Sequence, residues 1–254
     1  MKDALQPQRR QKGSVLCSTA IWSVIIGIML LLVSGPGYRA GLLPLMGGLL
    51  AYVVASFAFI VAFVLGGIGL LRSGGTGGAA SQTLSWGAFL LGLAFTVNTG
   101  LWLRQSTASP PIHDISTDTE NPPAFVAVLP LREGAPNPPQ YAGEETAALQ
   151  GQAYPDLKTL VVPKAPGEVF DRAREVAASM GWTLVEASQA EGRIEATATT
   201  FWFGFKDDIV IRIQRSDDGS LVDVRSKSRV GRGDVGANAK RIRAFLARLE
   251  QRLG

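Results

Sequence analysis

Three uncharged apolar runs near the start constrain this chain more than any other feature. They cover residues 15–33, 47–71 and 84–103, lengths of 19, 25 and 20, and none holds an Asp, Glu, Lys or Arg. A hydrocarbon core about 30 Å thick takes about 20 helical residues to cross. Each run therefore predicts a membrane-spanning helix, with a turn at residues 34–37 after the first. The first run follows a basic tail with Lys2, Arg9, Arg10 and Lys12. It is longer than a signal-peptide core and no small-x-small cleavage pattern follows it, so a retained span is expected. The single cysteine, Cys17, stands at the start of that run, which excludes an intrachain disulfide, a cysteine metal site and a lipoprotein signal.

The second run carries Ala51, Ala55, Ala58, Ala62, Gly66 and Gly69 at spacings of three and four. Small residues on one helix face let a neighbouring helix approach closely. The neighbour is either another helix of this chain or a partner, including a second copy. Trp86 and Trp102 near the ends of the third run read as interfacial aromatics, and Asn98 within it reads as interhelical glue. The spans hold no ionisable residue of the kind a proton or ion path uses. Four basic residues in the tail, against Arg39 and Arg72 in the two loops, predict a cytoplasmic N-terminus. Three spans then put everything after Arg104 on the far side, in a bacterium the periplasm.

Residues 105–157 are rich in Pro, Ser, Thr and acidic side chains, with proline pairs at 110–111, 122–123 and 138–139 that favour extended chain. No helical or strand period emerges there. Within it, residues 112–120 (IHDISTDTE) hold the only histidine, His113, with Asp114 and Asp118 close by. One imidazole and irregularly spaced carboxylates match no metal-ligand template, so no metal is expected. The segment reads either as an acid–base site or as chain laid along a domain.

Residues 158–254 are different. A short strand at 159–162 precedes a helix opened by Pro166, whose missing N–H costs nothing in the first turn. Val169, Phe170, Ala173, Val176 and Ala177 give that helix one apolar face, and Gly181 ends it. Strands follow at 182–187, 193–200, 208–214 and 221–230, alternating apolar and polar, with a turn signal at Asp217-Asp218-Gly219. A last helix runs from Asp234 to Leu253. The predicted architecture is a three-helix transmembrane region (1–104), a Pro-rich extended segment (105–157) and an α+β domain (158–254). In that domain two helices cover one face of an antiparallel sheet in two layers, the sheet being free to curl around the last helix in helix-grip manner.

Strand parity puts Arg225, Lys227 and Arg229 on the face away from Val222 and Val224, together with Arg212. With two helices on the other face, this one is expected to be open and basic. Phe201-Trp202-Phe203-Gly204-Phe205 cannot all enter one small core by alternation. They either cap the core, line a pocket or dip into a bilayer. Gly231-Arg232-Gly233-Asp234-Val235-Gly236 matches G-x-G-x-x-G between a strand and a helix, but a dinucleotide fingerprint needs a following parallel strand and an acidic residue about 20 positions on. No cofactor is therefore expected. What remains is a helix start flanked by Arg229 and Arg232, with Asp234 as its cap. A net charge of +4 is too small to suggest a nucleic-acid partner.

PPIHDISTDTENPPAF, GWTLVEA, FKDDIVIRI and VDVRSKSRVGRGDVGANAKRIRAFL occur in that order. Together they resemble the DUF1499 family of bacterial proteins of unknown function, over residues 110–252. The resemblance supplies no catalytic residue or ligand. It implies that a membrane region precedes the domain and that the His113 segment belongs to it. The expected function is a non-enzymatic, membrane-anchored protein of the cell envelope. Its ligand candidates are Arg225, Ser226, Ser228, Arg229, Arg232, Asp234 and Asn238, facing an anionic lipid headgroup, an envelope polymer or a partner protein. One alternative is an envelope enzyme using His113 with Asp114 or Asp118. Another is a structural subunit of a membrane complex joined through the small-residue seam.

Overall fold

The computed structural model describes residues 6–73 and 79–254. Lys2 of the basic tail, used in the sequence reading, lies outside them, as do residues 74–78 of the loop after Arg72. The chain divides into two compact units, residues 1–104 and 105–254.

The first unit is built from α1 (Gln6–Arg39), α2 (Leu45–Ser73) and most of α3 (Ala79–Ala108). All three are long and apolar enough to cross a membrane. The turn expected at residues 34–37 is absent, because α1 continues through Pro36 to Arg39. Helix is the backbone form that satisfies itself in lipid, so Pro and Gly break it less readily there than in water. The small-residue seam of α2 is filled from within the chain. Ala55 and Ala62 are fully buried, and a Cβ on Gly66 would come within 2.9 Å of the Phe89 backbone nitrogen. Phe59 of α2 stacks on Phe95 of α3 at 4.4 Å.

The second unit is the α+β domain. Its strands are β1 (Asp114–Ser116), β2 (Leu160–Val162), β3 (Thr183–Ser188), β4 (Arg193–Thr199), β5 (Lys206–Ser216) and β6 (Gly219–Ser228). They form one antiparallel sheet in the order β1-β6-β5-β4-β3, with β2 following β1 along the outer edge of β6. Inward residues Ile194, Ile209, Ile211, Val222 and Val224 meet two helices, α5 (Pro166–Ser179) and α6 (Ala237–Leu253). Ile242, Phe245 and Leu249 of α6 are fully buried, and Phe245 stacks on Trp182 at 5.5 Å. At about 1.5–3 kcal/mol for each large apolar side chain taken from water, this layer is the main source of the domain's stability.

Residues 105–157 pack as part of this unit and contain three elements that their composition hides, β1, a short 3-10 helix over Pro130–Arg132 and α4 (Glu144–Ala153). The chain between β1 and α4 crosses the second face of the sheet. Phe125 and Val128 bury themselves there against Val210. The face expected to be open is therefore covered. This is the principal correction to the sequence reading, and it decides how the arginines are used.

Candidate functional site

On that covered face Arg225 is 2% exposed and Lys227 1%. Both are held by Asp114, which is fully buried. Arg225 makes a bidentate pair with it (Nε–Oδ1 2.8 Å, Nη2–Oδ2 2.9 Å), and the Lys227 ammonium lies 3.0 Å from Oδ2. The Arg225 guanidinium also lies over the Phe125 ring, 4.7 Å from its centroid, and donates to the Pro123 and Pro139 carbonyls. Burial lowers the Lys227 pKa from its ordinary value, with the charge of Asp114 acting against it. Arg229 makes two 2.8 Å bonds to Asp208, which also takes Arg132 at 2.6 Å and the Thr197 hydroxyl at 2.7 Å. Arg212 joins Asp118 and Asp223, each at 2.8 Å. The Glu195 carboxylate accepts the backbone N–H groups of Val126, Ala127 and Val128 and pairs with Arg193. The basic stripe is thus matched nearly charge for charge. Its partners are Asp118 of the covering chain and Asp114, Asp208, Asp223 and Glu195 on the sheet. Buried ion pairs of this kind fix an arrangement more than they stabilise it.

The other candidates gather where β6 ends and α6 begins. Asn238 is fully buried. Its amide accepts from Ser226 Oγ (2.6 Å) and donates to Ser228 Oγ (3.0 Å) and the His113 carbonyl (3.1 Å). Arg241 bonds Ser226 and Asn238 and forms a 2.6 Å pair with Asp207. Ser226 and Ser228 therefore lock a strand to a helix, and among the described residues neither hydroxyl is bonded to an imidazole or carboxylate that could activate it as a nucleophile. Asp234 accepts from the Gly236 N–H (2.9 Å) and the Asn238 N–H (2.7 Å), capping the start of α6. Burial raises its pKa, while those two bonds act to lower it. Val235 is held at φ 55°, a strained setting for a β-branched residue. Its carbonyl accepts from Gln105 Nε2 at 2.9 Å. His113 Nδ1 lies 3.3 Å from the Arg232 carbonyl. Strand alternation sends Asp114 to the opposite face, where Arg225 and Lys227 hold it, while the His113 ring meets the Arg232 carbonyl and the Asp234 N–H takes the neighbouring Ile112 carbonyl. A scan against protein families matches residues 114–249 to DUF1499, described as a protein of unknown function.

The chain belongs to the DUF1499 family.

Curated proteins give no match to it. The DUF1499 match begins at Asp114, in β1, so it takes in the chain that covers the sheet as well as the α+β layers. Three residues of that covering chain and of α4 after it do work that the sequence reading missed. Arg132 bonds Asp208. Asn137 donates to the Ser228 and Gly231 carbonyls. Gln150 of α4 makes a paired bond with the main chain of Ser116. Only Arg132, the one arginine in the run 123–140, carried a signal that could have been read.

With Arg225 and Arg229 engaged, exposed cations remain at this end of the DUF1499 domain, Arg232 and Lys206 beside β5 and β6 and Lys240 in the first turn of α6. Arg232 and Lys206 are both exposed, and among the described residues neither side chain has an ion pair or hydrogen bond. A separate cleft of about 360 Å³, lined by Phe170, Gln189, Ile213 and Arg215 among others, lies at the opposite end of the sheet and contains none of the candidates.

Proposed function

We propose that this protein is a non-enzymatic, membrane-anchored component of a bacterial envelope. Its N-terminus is cytoplasmic, and its DUF1499 domain lies on the periplasmic side, engaging an anionic lipid headgroup through Arg232 and Lys206. The observation that carries this reading is the division of labour among the basic residues. Arg212, Arg225, Lys227 and Arg229 have carboxylate partners, whereas Arg232 and Lys206 are exposed at the end of the sheet where the chain arrives from α3. Exposed cations near a lipid surface gain about 1 kcal/mol each from anionic headgroups. The enzymatic alternative lacks its acids, since Asp114 is held by Arg225 and Lys227 and Asp118 by Arg212.

The test is lipid retention. Full-length protein released from nanodiscs of phosphatidylcholine with a minority of phosphatidylglycerol should keep phosphatidylglycerol selectively in native mass spectrometry. The double variant Arg232→Gln/Lys206→Gln should lose that selectivity. Equal retention by the two proteins would reject the reading, as would selectivity for a soluble envelope polyanion over the lipid.

A further inference from the structure

The loop between β4 and β5, residues 200–205, carries the most exposed aromatic of the domain. Phe201 is 85% exposed and packs on Trp202 at 6.3 Å between ring centroids. Phe203 and Phe205 stack on each other at 5.1 Å and are half-buried. The loop is closed by its own bonds. Thr200 N–H donates to the Phe205 carbonyl (2.8 Å), Phe205 N–H to Thr200 Oγ1 (2.8 Å) and Gly204 N–H to the Thr200 carbonyl (3.1 Å). A turn satisfied in this way can enter a medium of low dielectric at less cost than an open loop, because fewer main-chain groups lose their hydrogen bonds.

Register places this loop at one particular end of the sheet. Thr199 pairs with Lys206 and Asp207 with Ser228, while Arg229 N–H reaches the Lys206 carbonyl. Ser228 N–H reaches the His113 carbonyl, and Asp234 N–H the Ile112 carbonyl. The aromatic loop, the Gly231–Gly236 run between β6 and α6 and the arriving chain therefore share an end. Ile112 is buried in the domain core, and α3 ends at Ala108, so three residues, Ser109, Pro110 and Pro111, join the last apolar helix to that core. Ala108 and Ile112 can therefore lie at most about 14 Å apart.

We infer that Phe201 and Trp202 insert into the interfacial region of the bilayer crossed by α3, with Lys206 and Arg232 beside them at headgroup level. Three facts choose lipid as the occupant. The joining chain is short, an aromatic pair with a polar indole N–H suits a membrane interface, and the two exposed cations match anionic headgroups. This deepens the headgroup reading and rests on it for the source of negative charge.

The test uses full-length protein in phosphatidylcholine/phosphatidylglycerol nanodiscs. In a Cys17→Ala background, Phe201→Cys is labelled with NBD, and the control label sits at Asp218→Cys, in the exposed turn at the other end of the sheet. Doxyl lipids labelled near the headgroup end of the acyl chain should quench the label at 201 severalfold more than the one at 218, with a blue-shifted emission. Equal quenching at the two positions would overturn insertion while leaving phosphatidylglycerol retention through Arg232 to stand on its own measurement. Protection of the 201 label from aqueous iodide without doxyl quenching would also overturn it, showing that a second copy covers the loop. Quenching at 201 with no loss of lipid selectivity in the Arg232→Gln/Lys206→Gln protein would keep insertion and reject the headgroup contact.

Discussion

Asp114 holds Arg225 and Lys227 at once, with no solvent to replace it. Asp114→Asn removes the charge and leaves two buried cations unmatched, so it should cost about 3–5 kcal/mol. Loss of amide protection along β6 in hydrogen exchange would report this, and a change under about 1 kcal/mol would mean that the cations find other partners. Tyr141 gives the opposite case. Burial pushes its pKa up to about 12, so the hydroxyl is neutral, and it is buried with no hydrogen-bond partner. Tyr141→Phe should leave stability unchanged or raise it by up to about 1 kcal/mol, read by the same exchange experiment. Asp234 supplies a pH dependence. Its pKa is raised in the folded state, so the fold binds this proton more tightly than the unfolded chain does. The stability this group contributes is fully present below the ordinary carboxylate value. It is lost as pH rises through the raised one. Denaturation of wild type and Asp234→Asn from acid to neutral pH should show wild type losing ground to the variant as pH rises. A constant difference would contradict the assignment.

Among the elements, those with a period were legible and those without were not. β4, β5 and β6 show in the alternation of Ile194, Ala196, Ile209, Ile211, Val222 and Val224, because one of their faces meets the helices. α5 and α6 show in their apolar stripes. β1 and α4 have no such period. Each side chain of β1 is buried, and the buried residues of α4, Thr146 and Gln150, are both polar, with Gln150 bonded to the main chain of Ser116. Segments held by side-chain bonds to backbone leave little trace in hydropathy. The same blindness made the arginine face look open, since parity tells which face a residue takes and not what lies over it. Within the membrane region, a Cβ on Gly92 would meet the Phe63 nitrogen at 2.5 Å and the Phe59 carbonyl at 2.7 Å, while one on Gly100 meets nothing within 4 Å. Gly92→Val should therefore lower the thermal midpoint in detergent, and Gly100→Val should not. Equal effects would contradict the close approach of α2 and α3.

At the scale of the molecule, the split into an apolar half and a charged half was visible in the sequence, and so was the family. The allocation of charge was not. Arg225, Arg229 and Arg232 look alike in a strand-to-helix run, yet the first two complete an internal ion-pair lattice and the third stands in solvent. That difference depends on Asp114, Arg132 and Asp208, far away in sequence. It is the central claim, and parallel measurement of Arg229→Gln and Arg232→Gln tests it most directly. Arg229→Gln should lower the thermal midpoint of the domain and leave phosphatidylglycerol retention intact at temperatures where it is folded. Arg232→Gln should leave the midpoint unchanged and weaken retention. Weakened retention in folded Arg229→Gln, or a lowered midpoint in Arg232→Gln, would contradict the account.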